Sequence, residues 1–310
     1  MTVFSSFLTV GEQVLILFLL MAIGFVLGKT KLIGEVGSKN MSSLVIYAVT
    51  PCIMISAFQR ELVAEEFHGF LTILLLSLGI HAAVILIATL LVRDKDASRQ
   101  STLRFATVFS NCGFMGYPLM TAILGPIGVF YGSAYVTVFH LLTWTWGVYN
   151  MTGDRSRLKL RPLLLNPGVL SVVIALSLYL LRITVPPLLM KPINYMAALN
   201  TPIPMIVVGY QLSRANFSAA LKGRSSWVTM ILRLVVIPLL ALGLCLTLGL
   251  NKAVTTVVVI CCAAPPAALL SMFSAKFETD TELASSVVSV QTALSVLTMP
   301  LIVGLAQYLA

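Results

Sequence analysis

Apolar residues run along this chain in ten long blocks, separated by short polar stretches. The blocks cover residues 10–28, 40–58, 69–92, 103–124, 128–150, 163–181, 193–212, 227–249, 253–275 and 283–309. A helix rises about 1.5 Å per residue, so each block is long enough to cross roughly 30 Å of hydrocarbon. The first is followed by Lys29, Lys31 and Lys39 and has no basic segment or cleavage site before it. It therefore reads as a retained span rather than a signal peptide.

Two blocks are interrupted by residues that suit a continuous helix poorly. The fourth holds Ser110-Asn111-Cys112-Gly113-Phe114-Met115-Gly116-Tyr117-Pro118, inside a charge-free run from Phe105 to Gly153. Pro118 has no N–H for the carbonyl of Phe114, and the glycines weaken the same turn. The ninth holds Cys261-Cys262-Ala263-Ala264-Pro265-Pro266, where two missing N–H groups leave the carbonyls of Cys261 and Cys262 without helical partners. In lipid each freed group costs several kcal/mol unless protein or a water-filled cavity receives it. Paired interruptions of this kind point to a binding site at the membrane midplane.

The two halves of the chain correspond. Thr50-Pro51-x-x-Met54-Ile55 recurs 151 residues later as Thr201-Pro202-x-x-Met205-Ile206. The same offset carries Gly113 onto Ala264, beside Pro265 and Pro266, and His140 onto Gln291. An odd number of spans per unit inverts the second copy. The expected fold is an all-α polytopic membrane protein of ten transmembrane helices in two inverted five-helix repeats, residues 1–155 and 156–310.

Composition agrees with a membrane protein. Of 310 residues, 58% are hydrophobic and 10% are charged, where soluble domains average about 25% charged. The net charge of +9 is a topology signal. Fifteen of the 20 Lys and Arg lie in the loops that join blocks 1–2, 3–4, 5–6, 7–8 and 9–10, counting Arg104 at the very start of block 4. Those loops face the cytoplasm, both termini face outside, and nucleic acid is not a partner. The five cysteines all lie in apolar blocks, which argues against a disulfide framework, and no metal motif is present. No block contains Asp, and Ser133 with His140 lacks a supporting nucleophile motif, so the chain is not expected to be an enzyme.

Half-helix N-termini offer free N–H groups and about half a positive charge, which suits an anionic group held near Asn111. The candidate substrate-binding residues are Asn111, Gly113, Tyr117, Pro118, His140, Pro265, Pro266 and Gln291. Tyr117, Tyr131 and Tyr135 either line a cavity or pack. Glu12 reads as interfacial and His81 as a packing residue, and Arg233 either snorkels or pairs with a helix end. No cofactor is expected. The lack of acidic residues deep in the blocks disfavours a carboxylate proton relay, whereas carbonyls freed by the breaks could coordinate Na⁺. H⁺ or Na⁺ as coupling ion, and uniport, all stay open.

Asn111-x-Gly113-Phe114-x-Gly116-x-Pro118, the Thr50-Pro51 and Thr201-Pro202 pair, Arg233-Leu234-x-x-x-Pro238 and Ala263-Ala264-Pro265-Pro266-Ala267 resemble the auxin efflux carrier family along essentially the whole chain. The resemblance implies the ten-helix fold of bile-acid/sodium symporters, with broken helices 4 and 9 crossing at the midplane and a substrate carboxylate near Asn111. It also implies a scaffold from blocks 1, 2, 6 and 7 (residues 10–58 and 163–212), often a homodimer surface. Blocks 3–5 and 8–10 (residues 69–150 and 227–309) would form a mobile transport domain. The short central linker, Asp154 to Arg161, departs from the long loop of plant members and looks bacterial. The expected protein is a cell-membrane (inner-membrane) secondary transporter that exports a small organic anion such as a carboxylate by an elevator movement. The alternatives are an anion-conducting channel, since broken helices also line pores, and a Na⁺-coupled organic-anion symporter.

Overall fold

Polar side chains placed just ahead of apolar runs set several of the helix starts. Asp96, Asn166, Asn251 and Asp280 each accept a hydrogen bond from the free N–H groups of the turn that follows. The computed structural model describes residues 3–158, 165–214 and 217–310. Residues 159–161 of the basic linker and 163–164 of the sixth block lie outside them.

The first half contains α1 (Val3–Lys29), α2 (Glu35–Leu44), α3 (Thr50–Phe58), α4 (Ala64–Leu91), α5 (Ala97–Val108), α6 (Tyr117–Leu124), α7 (Pro126–Leu142) and α8 (Val148–Thr152). The second contains α9 (Pro167–Leu180), α10 (Pro187–Ala198), α11 (Pro202–Ser213), α12 (Ser218–Leu221), α13 (Arg224–Ile231), α14 (Ile237–Thr247), α15 (Lys252–Ala263), α16 (Leu269–Lys276) and α17 (Thr281–Leu309). Among the described residues there is no strand, only one isolated antiparallel bridge between Ser110 and Pro266.

Wide π-turns at Val45–Val49, Cys112–Gly116 and Leu232–Val236 each end just before an X-Pro pair: Thr50-Pro51, Tyr117-Pro118 and Ile237-Pro238. The extra residue in the turn lets the proline fall in the first turn of the next helix, where no N–H is required. Proline therefore re-registers these helices instead of ending them.

Among the described residues, six stretches are long and apolar enough to cross a membrane: Val10–Lys29, Glu35–Phe58, Ala64–Leu91, Pro126–Thr152, Arg224–Thr247 and Thr281–Leu309. The fourth, sixth, seventh and ninth apolar blocks are built from shorter helices. In the seventh, Pro202 and Pro204 offer no N–H to the carbonyls of Ala198 and Asn200. The block divides there into α11 and the end of α10, a helix with no buried residue.

Helices α1 and α11 lie almost backbone to backbone, because glycine stands at the contact. A Cβ on Gly24 would overlap the backbone of Ile206, and one on Gly209 the carbonyl of Met21. Helix α3 packs on α9 and α10, α4 on α7, and α15 on α14 and α17. At one end of the molecule, Phe58, Phe70, Phe130 and Tyr179 form an aromatic cluster that joins α3, α4, α7 and α9. The ring centroids of Phe58 and Phe130 are 4.7 Å apart, and those of Phe130 and Tyr179 are 5.2 Å apart. Arg60 lies 5.6 Å over Phe130 and pairs with Glu66 at 2.6 Å. At the other end, Arg99 approaches Asp94 at 3.6 Å and Asp280 at 3.8 Å, and Ser225 donates to Asp94 at 2.5 Å.

Candidate functional site

The chemistry of the centre follows from where its backbone hydrogen bonds go. Helix α5 closes with the Phe109 N–H on the Phe105 carbonyl at 3.0 Å, and Phe109 is then extended. The next donor due to Thr107 is the Asn111 N–H, but it donates to the Pro265 carbonyl at 2.7 Å. The Ala267 N–H returns to the Phe109 carbonyl at 2.9 Å. These two bonds flank the Ser110–Pro266 bridge and join the ends of α5 and α15 in antiparallel fashion. Ser110, Asn111, Ala264, Pro265 and Pro266 are all buried.

Diverting Asn111 leaves the carbonyls of Thr107 and Val108 without helical donors, and Pro266 leaves Cys262 in the same position. Arg233, carried on the π-turn between α13 and α14, supplies all three. Its guanidinium donates to Thr107 at 3.2 Å, to Val108 at 3.5 Å and to Cys262. Arg233 is 1% exposed and forms no ion pair with a carboxylate among the described residues. Of the two sequence readings, snorkelling and pairing with a helix end, the second holds, and it holds for two helix ends at once.

Tyr135 and His81 back this cluster. The Tyr135 hydroxyl lies 3.5 Å from the Cys262 sulfur, the rings of His81 and Tyr135 are 5.0 Å apart, and His81 Nδ1 lies 2.7 Å from the Ser77 carbonyl. Both residues are buried, and His81 Nε2 has no hydrogen-bond partner among the described residues.

The sequence-predicted site residues fall into three groups. Asn111, Gly113, Tyr117 and Pro118 follow one another from the bridge into α6, and Pro265 and Pro266 face them across it. The Asn111 carbonyl accepts from Met115 at 3.1 Å and Gly116 at 3.3 Å, while its side chain makes no capping bond. A Cβ on Gly113 would meet nothing within 4 Å, so space lies directly beside this turn. Pro118 is not where α5 ends. That point is Phe109–Asn111, and Pro118 sits in the first turn of α6 behind the π-turn. His140 and Gln291 are not hydrogen-bonded to the bridge. His140 presents its ring to Gly168 at the start of α9, where a Cβ would stand 2.6 Å from Nε2. Gln291 is 1% exposed on α17, with Oε1 unpartnered.

Sequence reasoning undervalued Arg233 and Tyr135. A signal for Arg233 was available: one Arg deep in an apolar block, no acid in the blocks other than Glu12 near the outer end of the first, and carbonyls orphaned by Pro265 and Pro266.

A cavity of about 320 Å³ lies between α2 and α11 on one side and α16 and α17 on the other. Glu35, Tyr210, Gln211, Arg214, Ser271 and Ser285 line it, and Asn111 does not. It opens at the end opposite the Phe58–Phe130 cluster.

A family described as membrane transport protein matches residues 9–303. An uncharacterised transporter of Methanothermobacter thermautotrophicus is 24% identical over 300 residues, covering 94% of this chain and 96% of the relative. An uncharacterised transporter of Methanocaldococcus jannaschii is also 24% identical, over 306 residues, with the same coverage of each chain. The match runs through every element described above, and the chain belongs to this membrane transport protein family, of the auxin efflux carrier type.

Proposed function

We propose that the chain is a secondary transporter that exports a small organic anion, such as a carboxylate, across the cell membrane by an elevator-type movement. The observation that carries the reading is the buried bridge between Phe109–Asn111 and Pro265–Ala267. Two chain segments that stop being helical meet where their ends can act on one ligand. The Asn111 amide, the free N–H groups entering the Cys112–Gly116 turn and the space beside Gly113 together suit a carboxylate. On this reading the ten apolar blocks are two inverted repeats, and α5–α6 and α15–α16 are the broken fourth and ninth spans. Helices α1–α3 and α9–α11 form the scaffold, through which two copies pair, and α4–α8 with α12–α17 form the moving body.

The two ends of the fold support alternating access. The aromatic cluster closes the boundary between α3 and α9 of the scaffold and α4 and α7 of the moving body. The cavity lies on the same boundary at the end of the basic loops. With those loops in the cytoplasm and both termini outside, this is an inward-facing arrangement. Arg214 and the serines of the cavity would receive the anion from the cell interior.

Reconstitution into proteoliposomes tests the proposal. Saturable uptake of a carboxylate that shows counterflow, and that falls by about tenfold or more in Asn111→Ala, is the expected result, since a hydrogen bond to a charged group is worth about 1.5–3 kcal/mol. Single-channel currents would replace the carrier with a channel. Transport unchanged in Asn111→Ala would remove the bridge from the binding site.

A further inference from the structure

We infer that Arg233 is the resident cation of the bridge: its guanidinium fills the carbonyl cluster in which a coupling Na⁺ would otherwise have to bind. The carbonyls of Thr107 and Val108 end α5, and that of Cys262 ends α15. Each helix C-terminus carries about half a negative charge, so the two together present about one negative charge in a buried interior. A cation is required there. No Lys or His supplies it, and the polar neighbours are the thiols of Cys112, Cys261 and Cys262, the Tyr135 hydroxyl and the His81 imidazole, none of them acidic. A guanidinium is a permanent cation with five donors in a flat fork, which matches three carbonyls converging from two helices.

A mobile ion at this position could bind and leave once per cycle, and that is how it would transmit a gradient. A guanidinium tethered to the π-turn between α13 and α14 cannot leave. It neutralises the two C-termini in every state and leaves the free N–H groups of the opposite helix ends to act on the anion. Arg233 is thus a positioning residue. It touches backbone rather than substrate, and it frees the site from Na⁺. The occupancy stands on the geometry alone, and the consequence for coupling rests on the transport reading above.

The test compares thermal unfolding of the purified protein in NaCl, KCl and choline chloride at equal ionic strength, for the native chain, Arg233→Lys and Arg233→Ala. The native Tm is expected to be the same in all three salts. Arg233→Lys, which keeps a cation at the carbonyls, retains more of that Tm than Arg233→Ala. In Arg233→Ala, Na⁺ or added guanidinium raises the Tm above its value in choline, a rescue that lost packing alone would not produce. If the alanine variant does not fold, the native and lysine chains still decide. A Na⁺-specific rise in the native Tm overturns the inference, and so does an alanine variant as stable as the native chain. In proteoliposomes, carboxylate uptake by the native chain is expected to survive replacement of Na⁺ by choline, and an about tenfold loss overturns the inference. If no carboxylate is carried under any gradient, the transport reading fails while the unfolding series still settles the occupancy of the carbonyls.

Discussion

Two arginines each tie several segments of this chain together, and their surroundings give them opposite energetics. Arg233 sits in the buried centre and donates only to main-chain carbonyls of α5 and α15. Arg99 sits at the basic end, its side chain 24% exposed, between the carboxylates of Asp94 and Asp280, and donates to the Lys222 carbonyl at 3.2 Å. Formal charge pairing is complete around Arg99 and absent around Arg233. Yet water screens the first set and already solvates its members when separated, whereas nothing replaces the guanidinium among the buried carbonyls. The arginine without a counter-ion is therefore the one the fold depends on.

The largest effect that would test this contrast is Arg233→Ala. Removing the donor leaves three buried carbonyls unsatisfied, at a cost of about 1–3 kcal/mol each. The expected outcome is a sharply lower Tm and little folded protein on size-exclusion chromatography; a variant that eluted and melted like the native chain would break the comparison. Next comes Asn111→Ala, which sharpens it by separating stability from transport. The variant keeps the Asn111 N–H bond to Pro265, so Tm should change little while carboxylate uptake falls by about tenfold or more. Gly113→Leu should act in the same direction by filling the space beside the turn. Reduced uptake with an unchanged melting curve is the expected result, and loss of folding would mean that the space is not open to a ligand.

Arg99→Gln should have a smaller effect, because partly exposed ion pairs contribute about 0–1 kcal/mol each. It should shrink further at high salt, which melting curves at two ionic strengths would read directly. The smallest effect concerns Asp94. Burial by itself would raise its pKa, but the Ser225 hydroxyl, the Asp96 N–H and the Arg99 charge outweigh burial and hold it below the ordinary 3.8. A depressed carboxylate adds stability above its unfolded pKa and loses it as pH falls through the folded value. The Tm difference between the native chain and Asp94→Asn should therefore be present at neutral pH and shrink as the pH falls through the lowered folded pKa of Asp94, below its ordinary 3.8. A difference that grew on acidification would reverse the sign assigned to this residue.

Much of the centre could be read from residue order, because proline leaves a predictable gap. Pro265 and Pro266 identified Cys262 as a carbonyl without a helical donor before any fold was known. Pro118 misled in position. Its gap is absorbed by the Cys112–Gly116 π-turn, and the true end of α5 at Phe109 is set by a tertiary bond from Asn111 to Pro265 that no local rule contains. The same limit applies to Thr201-Pro202, which begins α11 rather than continuing a longer helix. His140 and Gln291 matched each other by offset, yet the ring of His140 meets Gly168 and neither residue is bonded to the bridge.

The sequence by itself determined that this is a helical membrane protein of the transport family and which residues interrupt its helices. Apolar length, missing N–H groups and the bias of Lys and Arg are properties of the covalent chain and hold in any fold. Only the tertiary structure decided what receives the freed carbonyls. Hydrogen bonds between α5, α15 and the turn that carries Arg233 join residues more than 25 positions apart along the chain. Such bonds depend on how the helices pack, and packing is where one lone arginine in an apolar block became the cation shared by two helix ends.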